Sequence, residues 1–317
     1  EMFPEALLQL EDFGNCNAFR LLKKYRDTLC LFDDDIQGTG AVALSGLLAA
    51  LRITGGNLAD QRVLFFGAGQ AGIGIGNTIA AAMIDQGLPI EQSHSNCWFF
   101  DTKGLLVDSR QDIPTQKQPF AHDHAPMTSL SDAIRQLQPT ALIGCAGQGG
   151  AFTEDVVRLM ASQQERPIIF ALSNPTTKAE CTARQAYEWS DGRAVFASGS
   201  PFEPVQLDNR TFVPGQGNNA YIFPGVGLGA SLARSRRVTD EMFLAAARVL
   251  AGLVTDEDLD LGRVYPGLSQ IREVSARIAA EVAEIAYREG LAQQEPPEDI
   301  LADIREQMFQ PLYPHYA

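Results

Sequence analysis

The sequence predicts an α/β fold: a Rossmann-like, doubly wound, mainly parallel sheet with an additional helical layer. Three observations predict it. The stretch VLFFGAGQAG, residues 63–72, carries four apolar residues into a glycine-rich turn and on to Ala and Ile at helical spacing. Apolar strand-like runs then alternate with helix-like segments along most of the chain, as βαβ units require. From Arg234 that alternation stops, and two long amphipathic helical patterns follow.

Residues 63–72 read as a buried strand, a tight turn and the first turn of a helix, the seat of a dinucleotide pyrophosphate. Gly67 permits the turn. Gly69, beside Ala68 and Gln70, lets backbone approach a phosphate. Gly72 lets the helix pack close to the strand. The helix N-terminus supplies unpaired N–H groups and partial positive charge. The helix runs on through NTIAAAMIDQG to Gly87. A second strand, CWFFD, ends in Asp101, an acid placed to meet the adenosine ribose hydroxyls, although the spacing is longer than the usual one.

A length of 317 residues suggests about two domains. The chain is 45% apolar and 20% charged, enough to bury a sizeable core. Its net charge of −14 argues against nucleic acid or an anionic membrane as main partner. No apolar run reaches the roughly 18 residues of a membrane span. The N-terminus lacks the shape of a signal peptide. Cys16, Cys30, Cys97, Cys145 and Cys181 are scattered and form no CxxC pair, which fits a reduced, cytoplasmic protein. The chain does not begin with Met and reads as a processed chain or a piece of a longer one.

Glu11 and Asp12 follow an apolar run at residues 4–10, and a helix is expected over residues 18–25. LCLFDDDIQGTG, residues 29–40, then drives a strand into three aspartates, ahead of an apolar helix. Carboxylates crowded at a strand end raise one another's pKa unless a cation neutralises them. Mg²⁺ or Mn²⁺ accepts such oxygen ligands, and Glu11 and Asp12 complete the set if the intervening helix folds back. A solvated acidic loop is the plainer alternative.

The segment 116–127 is polar and irregular, with His122 and His124 as loop histidines and Lys117 close enough behind the second strand to meet a ribose 2′-phosphate. A short helix, a strand at 141–145 with the tail GCAGQGG, a helix capped by Thr153 and a strand at 167–176 ending in Ser173, Asn174 and Pro175 continue the series. A helix over 179–189 and a strand at 194–198 complete it. Asn218 and Asn219 precede an aromatic, strand-like piece. Two adjacent amides in a glycine-bounded loop suit a carboxylate or carbonyl, or simply a turn. After Gly290 the chain is polar and proline-bearing, a tail that drapes over a neighbour or second subunit.

LEDFGN, FDDDIQGTG, LFFGAGQAG, FALSNPT, ASGSPF and PGQGNNAYIFPG, in one order over residues 7 to about 290, closely resemble malic enzymes, the NAD(P)-dependent decarboxylating malate dehydrogenases. The resemblance implies that Glu11, Asp12 and Asp35 hold Mn²⁺ or Mg²⁺. It implies a catalytic role for Asp34 beside the general base. Asn174 and Asn218 match residues that contact malate, with Asn219 adjacent, and Asn15 lies where the family approaches its cofactor. Lys117, ahead of Phe120–His122, falls where NADP-dependent members carry a lysine, which leans the cofactor from NAD towards NADP. The implied substrate is malate, with no nucleic-acid or membrane partner, and the helical layer and tail suggest a homo-oligomer. The implied division is a dinucleotide-binding Rossmann domain at 34–218, parts of a central metal and substrate domain at 1–33 and 219–290, and a tail at 291–317.

Two departures accompany the resemblance. The family's tyrosine acid, lysine base and substrate-binding arginine would precede residue 1, so the chain resembles the C-terminal two-thirds or so of such an enzyme and is expected to be inactive alone. The family's usual glutamate in the glycine turn is Gln70 here, and its usual asparagine before the two aspartates is Asp33. Another Rossmann dehydrogenase, such as an amino-acid dehydrogenase, and a non-catalytic dinucleotide-binding module are the competing readings.

Overall fold

A computed structural model describes residues 5–310; the side chains of residues 15 and 16 lie outside that description. In chain order come β1 (Leu8–Leu10), α1 (Asn15–Tyr25), β2 (Leu31–Asp33), a π-helical turn (Asp34–Gly38), α2 (Thr39–Thr54), β3 (Val63–Phe66), α3 (Gln70–Asp85), α4 (Ile90–Ser95), β4 (Cys97–Asp101) and β5 (Gly104–Leu105). Then follow α5 (Leu130–Leu137), β6 (Ala141–Gly144), α6 (Glu154–Gln163), β7 (Ile168–Ala171), α7 (Ala183–Trp189) and β8 (Val195–Ser198). The hairpin strands β9 (Val205–Leu207) and β10 (Arg210–Phe212), the short β11 (Gly215–Gln216), and α8 (Phe223–Leu232), α9 (Asp240–Gly252), α10 (Asp256–Asp260), α11 (Ile271–Arg288) and α12 (Ile300–Gln307) end the series.

Seven strands form the main sheet in the order β11-β8-β7-β6-β3-β4-β5. All neighbours run parallel except β4 and β5. The chain leaves β3 towards β4 on one side and later returns to β6 on the other, so strand order reverses between β3 and β6. That reversal opens a crevice at the strands' carboxyl ends.

Side chains alternate across a strand, so each strand feeds two cores. Phe65, Phe99, Ile143 and Phe170 face α2, α9 and α11. Leu64, Leu142, Ile169 and Phe196 face the layer of α5, α6 and α7. Phe65 and Phe99 are fully buried and stack at 4.4 Å. Burial of such a ring contributes about 1.5–3 kcal/mol. The span Asp34–Thr54 is long and apolar enough to cross a membrane, yet most of it is buried inside the fold. α2 is apolar on nearly every face because α3, α9 and the sheet surround it.

Three expectations change. The aromatic piece after Asn218 is not strand-like: Asn219–Tyr221 forms a 3-10 turn and leads into α8. Gly225 and Gly229, four apart, form a ridge without side chains on α8. A Cβ at Gly229 would lie 2.3 Å from the Ala279 carbonyl oxygen of α11, so the helices touch backbone to backbone. The helix expected over 179–189 begins only at Ala183, behind a capping box of Thr182 and Gln185. The tail folds back on its own chain as far as it is described. Asp299 caps α12 through the Ala302 N–H at 2.9 Å, and Ile304 is buried against Ala276, Ala279 and Ala280. Residues 311–317 lie outside the described residues.

Candidate active site

β1 pairs in parallel with β2, placing Leu10 opposite Asp33. This pairing folds Glu11 and Asp12 back onto the aspartate run. Asp12, at φ +58°, turns its N–H onto Asp35 Oδ2 at 2.9 Å. Asp33 caps the π-helical turn by accepting the Ile36 N–H at 3.1 Å. Asp34 Oδ2 accepts from Asn219 Nδ2 at 2.9 Å, and the same amide donates to Thr39 Oγ1 at 3.0 Å. Gly38 has to be glycine, since a Cβ there would meet Asp34 Oδ1 at 1.9 Å.

Asp33 and Asp34 are fully buried. Burial pushes the Asp34 carboxyl up to about 7; the Asn219 amide pulls the other way, while Glu11, Asp35 and Asp33 add repulsion. Burial likewise pushes Asp33 up to about 6, against its bond from Ile36. Asp33 Oδ2 and Asp34 Oδ1 are buried and have no hydrogen-bond partner among the described residues.

Glu11, Asp12, Asp34 and Asp35 line one cavity of about 500 Å³ together with Asn174, Asn218, Asn219 and Lys178. Among the described residues no three acids converge closely enough to grip one ion as they stand. The donor set nevertheless suits a hard divalent cation: the cavity's acidic donors are all oxygens, and beside them the buried Asp33 Oδ2 and Asp34 Oδ1 lack a partner. Asn218 spends its side-chain oxygen on the Ala220 N–H at 2.9 Å, so it caps a turn as well as facing the cavity. Asn219 is likewise engaged, holding Asp34.

A second cavity, about 790 Å³, lies over the crevice and is lined by Gly67, Ala68, Gly69 and Gln70 on one side and by Asp101, Lys117 and Cys145–Gly147 on others. Gly67 has φ +124°, and a Cβ there would sit 2.8 Å from the Cys145 carbonyl carbon. At Gly72 it would sit 2.4 Å from the Gly67 carbonyl oxygen, so this glycine gives room to the turn itself. Gly69 is the N-cap of α3, and no side chain caps that end. The cradle therefore suits a pyrophosphate, and a larger residue at Gly67 or Gly72 would close it. Gln70 Nε2 makes a long contact, 3.5 Å, to Asp33 Oδ1, joining the glycine turn to the acidic turn. The two cavities share Ala71, Cys145 and Gly147.

Asp101 lines this cavity, but Arg110 holds both of its oxygens, at 2.9 and 2.8 Å. Burial pushes that carboxyl up; the Arg110 guanidinium and the Lys103 N–H outweigh it, and the net pKa lies below the usual range. A depressed carboxylate adds stability above its unfolded pKa, near 4, and loses it as pH falls through the folded value. Arg110→Gln is expected to cost about 1.5–3 kcal/mol at neutral pH and to flatten the acid limb of the melting-temperature profile; equal slopes in both proteins would contradict this. Arg110 and Lys103 together balance Asp101 and Asp112, which leaves Lys117 to make this end of the cavity cationic.

Asn15 opens α1, and its side chain is outside the description. His122 donates its Nε2–H to the Cys97 carbonyl at 2.9 Å and packs on Trp98, while His124 touches the same ring edge-on. Sequence reasoning missed Arg110, Lys178 and Glu180. Arg110 had a signal, a lone arginine in the loop after an acid-ended strand. Lys178 follows the asparagine–proline turn by three residues.

A family profile described as "Malic enzyme, NAD binding domain" matches residues 36–287. The chain belongs to the malic enzyme family. Its relatives include the NADP-dependent malic enzyme of Vitis vinifera, 52% identical over 315 residues that make up 98% of this chain and 53% of that protein. The NADP-dependent malic enzyme of Homo sapiens is 52% identical over 309 residues, 97% of this chain and 54% of that one. Among solved structures, the malic enzyme of Entamoeba histolytica superposes with a TM-score of 0.76 at 26% identity, over 94% of this chain and 58% of the other. That of Pyrococcus horikoshii Ot3 also gives 0.76 at 26%, over 94% and 65%. The chain spans about half the length of the curated malic enzymes it matches.

Proposed function

We propose that this chain carries the metal, malate and NADP half-sites of a malic enzyme that converts (S)-malate to pyruvate and CO₂ while reducing NADP. The observation that carries the reading is the continuity of the acidic cavity with the dinucleotide crevice across Ala71, Cys145 and Gly147. In this reading Glu11, Asp12 and Asp35 hold Mn²⁺ or Mg²⁺. Those three carboxylates would hold the ion, whose Lewis acidity would then be available to the malate hydroxyl and carbonyl oxygen. Asn174 and Asn218 orient the carboxylates of malate. Asp34, buried and fixed by Asn219, stands beside the metal ligands and helps position the general base against the reacting hydroxyl. The glycine turn holds the pyrophosphate, and Asn15 lies along the same crevice. Residues 34–218 make the dinucleotide unit, with 1–33 and 219–290 contributing to the metal and substrate unit. Names among the relatives include chloroplastic forms, and Cys30, Cys97, Cys145 and Cys181 are free, which fits a reducing compartment. Assembly into a homo-oligomer is part of the same reading.

The chain spans about half the length of its malic enzyme relatives, and by itself it is expected to bind NADPH without turning over malate. Sustained malate-dependent NADPH production by this chain would overturn that division of labour. Lys117 supports NADP over NAD. Lys117→Gln is expected to weaken NADP by about tenfold or more, the loss of a charge-assisted bond to the 2′-phosphate, with NAD unaffected. An unchanged NADP to NAD affinity ratio would remove the assignment.

A further inference from the structure

The loop after β6 and the loop after β7 are separate pieces of chain, and both reach the mouth of the crevice. Behind them lies Glu180, fully buried and lining neither cavity. Its Oε1 accepts the Ser173 hydroxyl at 2.5 Å and the Ala146 N–H at 3.3 Å. Its Oε2 accepts the Ser173 N–H at 3.4 Å. The Ser173 hydroxyl in turn accepts the Gly147 N–H at 2.9 Å, so one carboxylate and one hydroxyl tie Ala146 and Gly147 to Ser173, next to Asn174. The backbone repeats the tie further back: Gly150 N–H donates to Ala179 O, and Phe152 N–H to Glu180 O. The strut needs room. A Cβ on Gly144 would lie 2.4 Å from the Glu180 carboxyl carbon.

A carboxylate is costly to bury, and a hydrophobic residue would fill the same space more cheaply. The network therefore calls for a reason at the loops it holds. Asp101 and Lys117 mark the adenosine end on the β4 side of β3. The β6 and β7 loops lie on the opposite side, where a dinucleotide's other half extends beside the acidic cavity. We propose that Glu180 is a positioning residue for the nicotinamide half of the cofactor, fixing Ala146, Gly147 and Ser173 in the arrangement that half requires. The inference rests on the dinucleotide reading of the crevice given above.

The test compares two ligands on the 317-residue chain: NADPH, followed by its fluorescence, and 2′,5′-ADP, the adenosine half alone, followed by calorimetry. Ser173→Ala and Glu180→Gln are each expected to weaken NADPH by about fivefold to tenfold, a lost hydrogen bond's worth, with 2′,5′-ADP changed by less than about twofold. The double variant should be no weaker than the worse single, because both break one relay. Glu180→Gln keeps one acceptor oxygen and should bind NADPH better than Glu180→Ala. Parallel loss of both ligands would reduce Glu180 to a structural brace, and unchanged NADPH affinity in Ser173→Ala, the variant least disturbing to the fold, would also overturn the proposal. A wild-type chain that binds neither ligand would instead remove the dinucleotide reading.

Discussion

Asp35→Asn is expected to abolish the stabilisation that Mn²⁺ confers on this chain. At a hundredfold excess over its Kd, an ion that binds only the folded state adds about 2.7 kcal/mol, a rise in melting temperature of roughly 5 °C for a chain of this size. The side chain of Asp35 is anchored at one oxygen by the Asp12 N–H and shares its cavity with Glu11, Asp12 and Asp34. Asparagine keeps an acceptor for that N–H while removing the charge, so the metal-free protein should melt nearly unchanged. The loss should appear only in the Mn²⁺ titration. An equal Mn²⁺ shift in wild type and variant would take Asp35 out of the metal site and leave the acidic cavity as mere solvated charge.

Gly74→Ala should destabilise the fold and the acidic turn together through one added methyl. Gly74 lies in α3 where the helix crosses the acidic turn. A Cβ there would lie 2.5 Å from the Ile36 carbonyl oxygen and 3.0 Å from Ile36 Cα. Both are main-chain atoms, so no side-chain rotation relieves the clash; helix and turn have to separate. Overpacking of this kind costs about 1–3 kcal/mol or more. The displaced turn carries Asp34 and Asp35, so Mn²⁺ affinity should fall with the melting temperature, although the substituted residue touches neither carboxylate. Gly227→Ala is the matched control. It is also helical, but a Cβ at Gly227 meets nothing within 4 Å, and replacing that glycine should be neutral or stabilising by up to about 1 kcal/mol. A Gly74 variant that melts like wild type would show that α3 and the acidic turn are not held at backbone contact.

What the sequence made legible was local. Residues 63–72 announce a strand, a turn and a helix start because each step is dictated by neighbours within ten positions. The aspartate run and the two asparagines stand out for the same reason. The partners of those residues did not. Asp101 read as a free acid aimed at a ribose, and the β4–β5 reversal at Gly104, φ +106°, swings Arg110 back onto it. Glu180 read as one more polar residue on a helix. It is buried because that helix starts later and Gly144, on a strand 36 residues earlier in the chain, leaves the space. Asn218 and Asn219 looked like a ligand-facing pair before a strand, yet the next segment is a helix whose Gly225 and Gly229 let it pack against α11, and both amides have duties inside the site. Burial and long-range pairing decide such cases, and neither has a short-range signature.

The Gln70–Asp33 contact brings together the two positions at which the sequence departs from the pattern of the malic enzymes it resembles. The family's acid in the glycine turn and amide before the aspartates become an amide and an acid here, and the two side chains meet. The contact thus keeps one carboxylate and one amide while exchanging their owners. The two positions answer differently to a single change: glutamate at 70 would set a second carboxylate against the buried Asp33, whereas asparagine at 33 would still accept the Gln70 N–H through its amide oxygen. The order of substitution therefore matters: exchanging position 33 first keeps a donor facing an acceptor at every step, and exchanging position 70 first sets two carboxylates together.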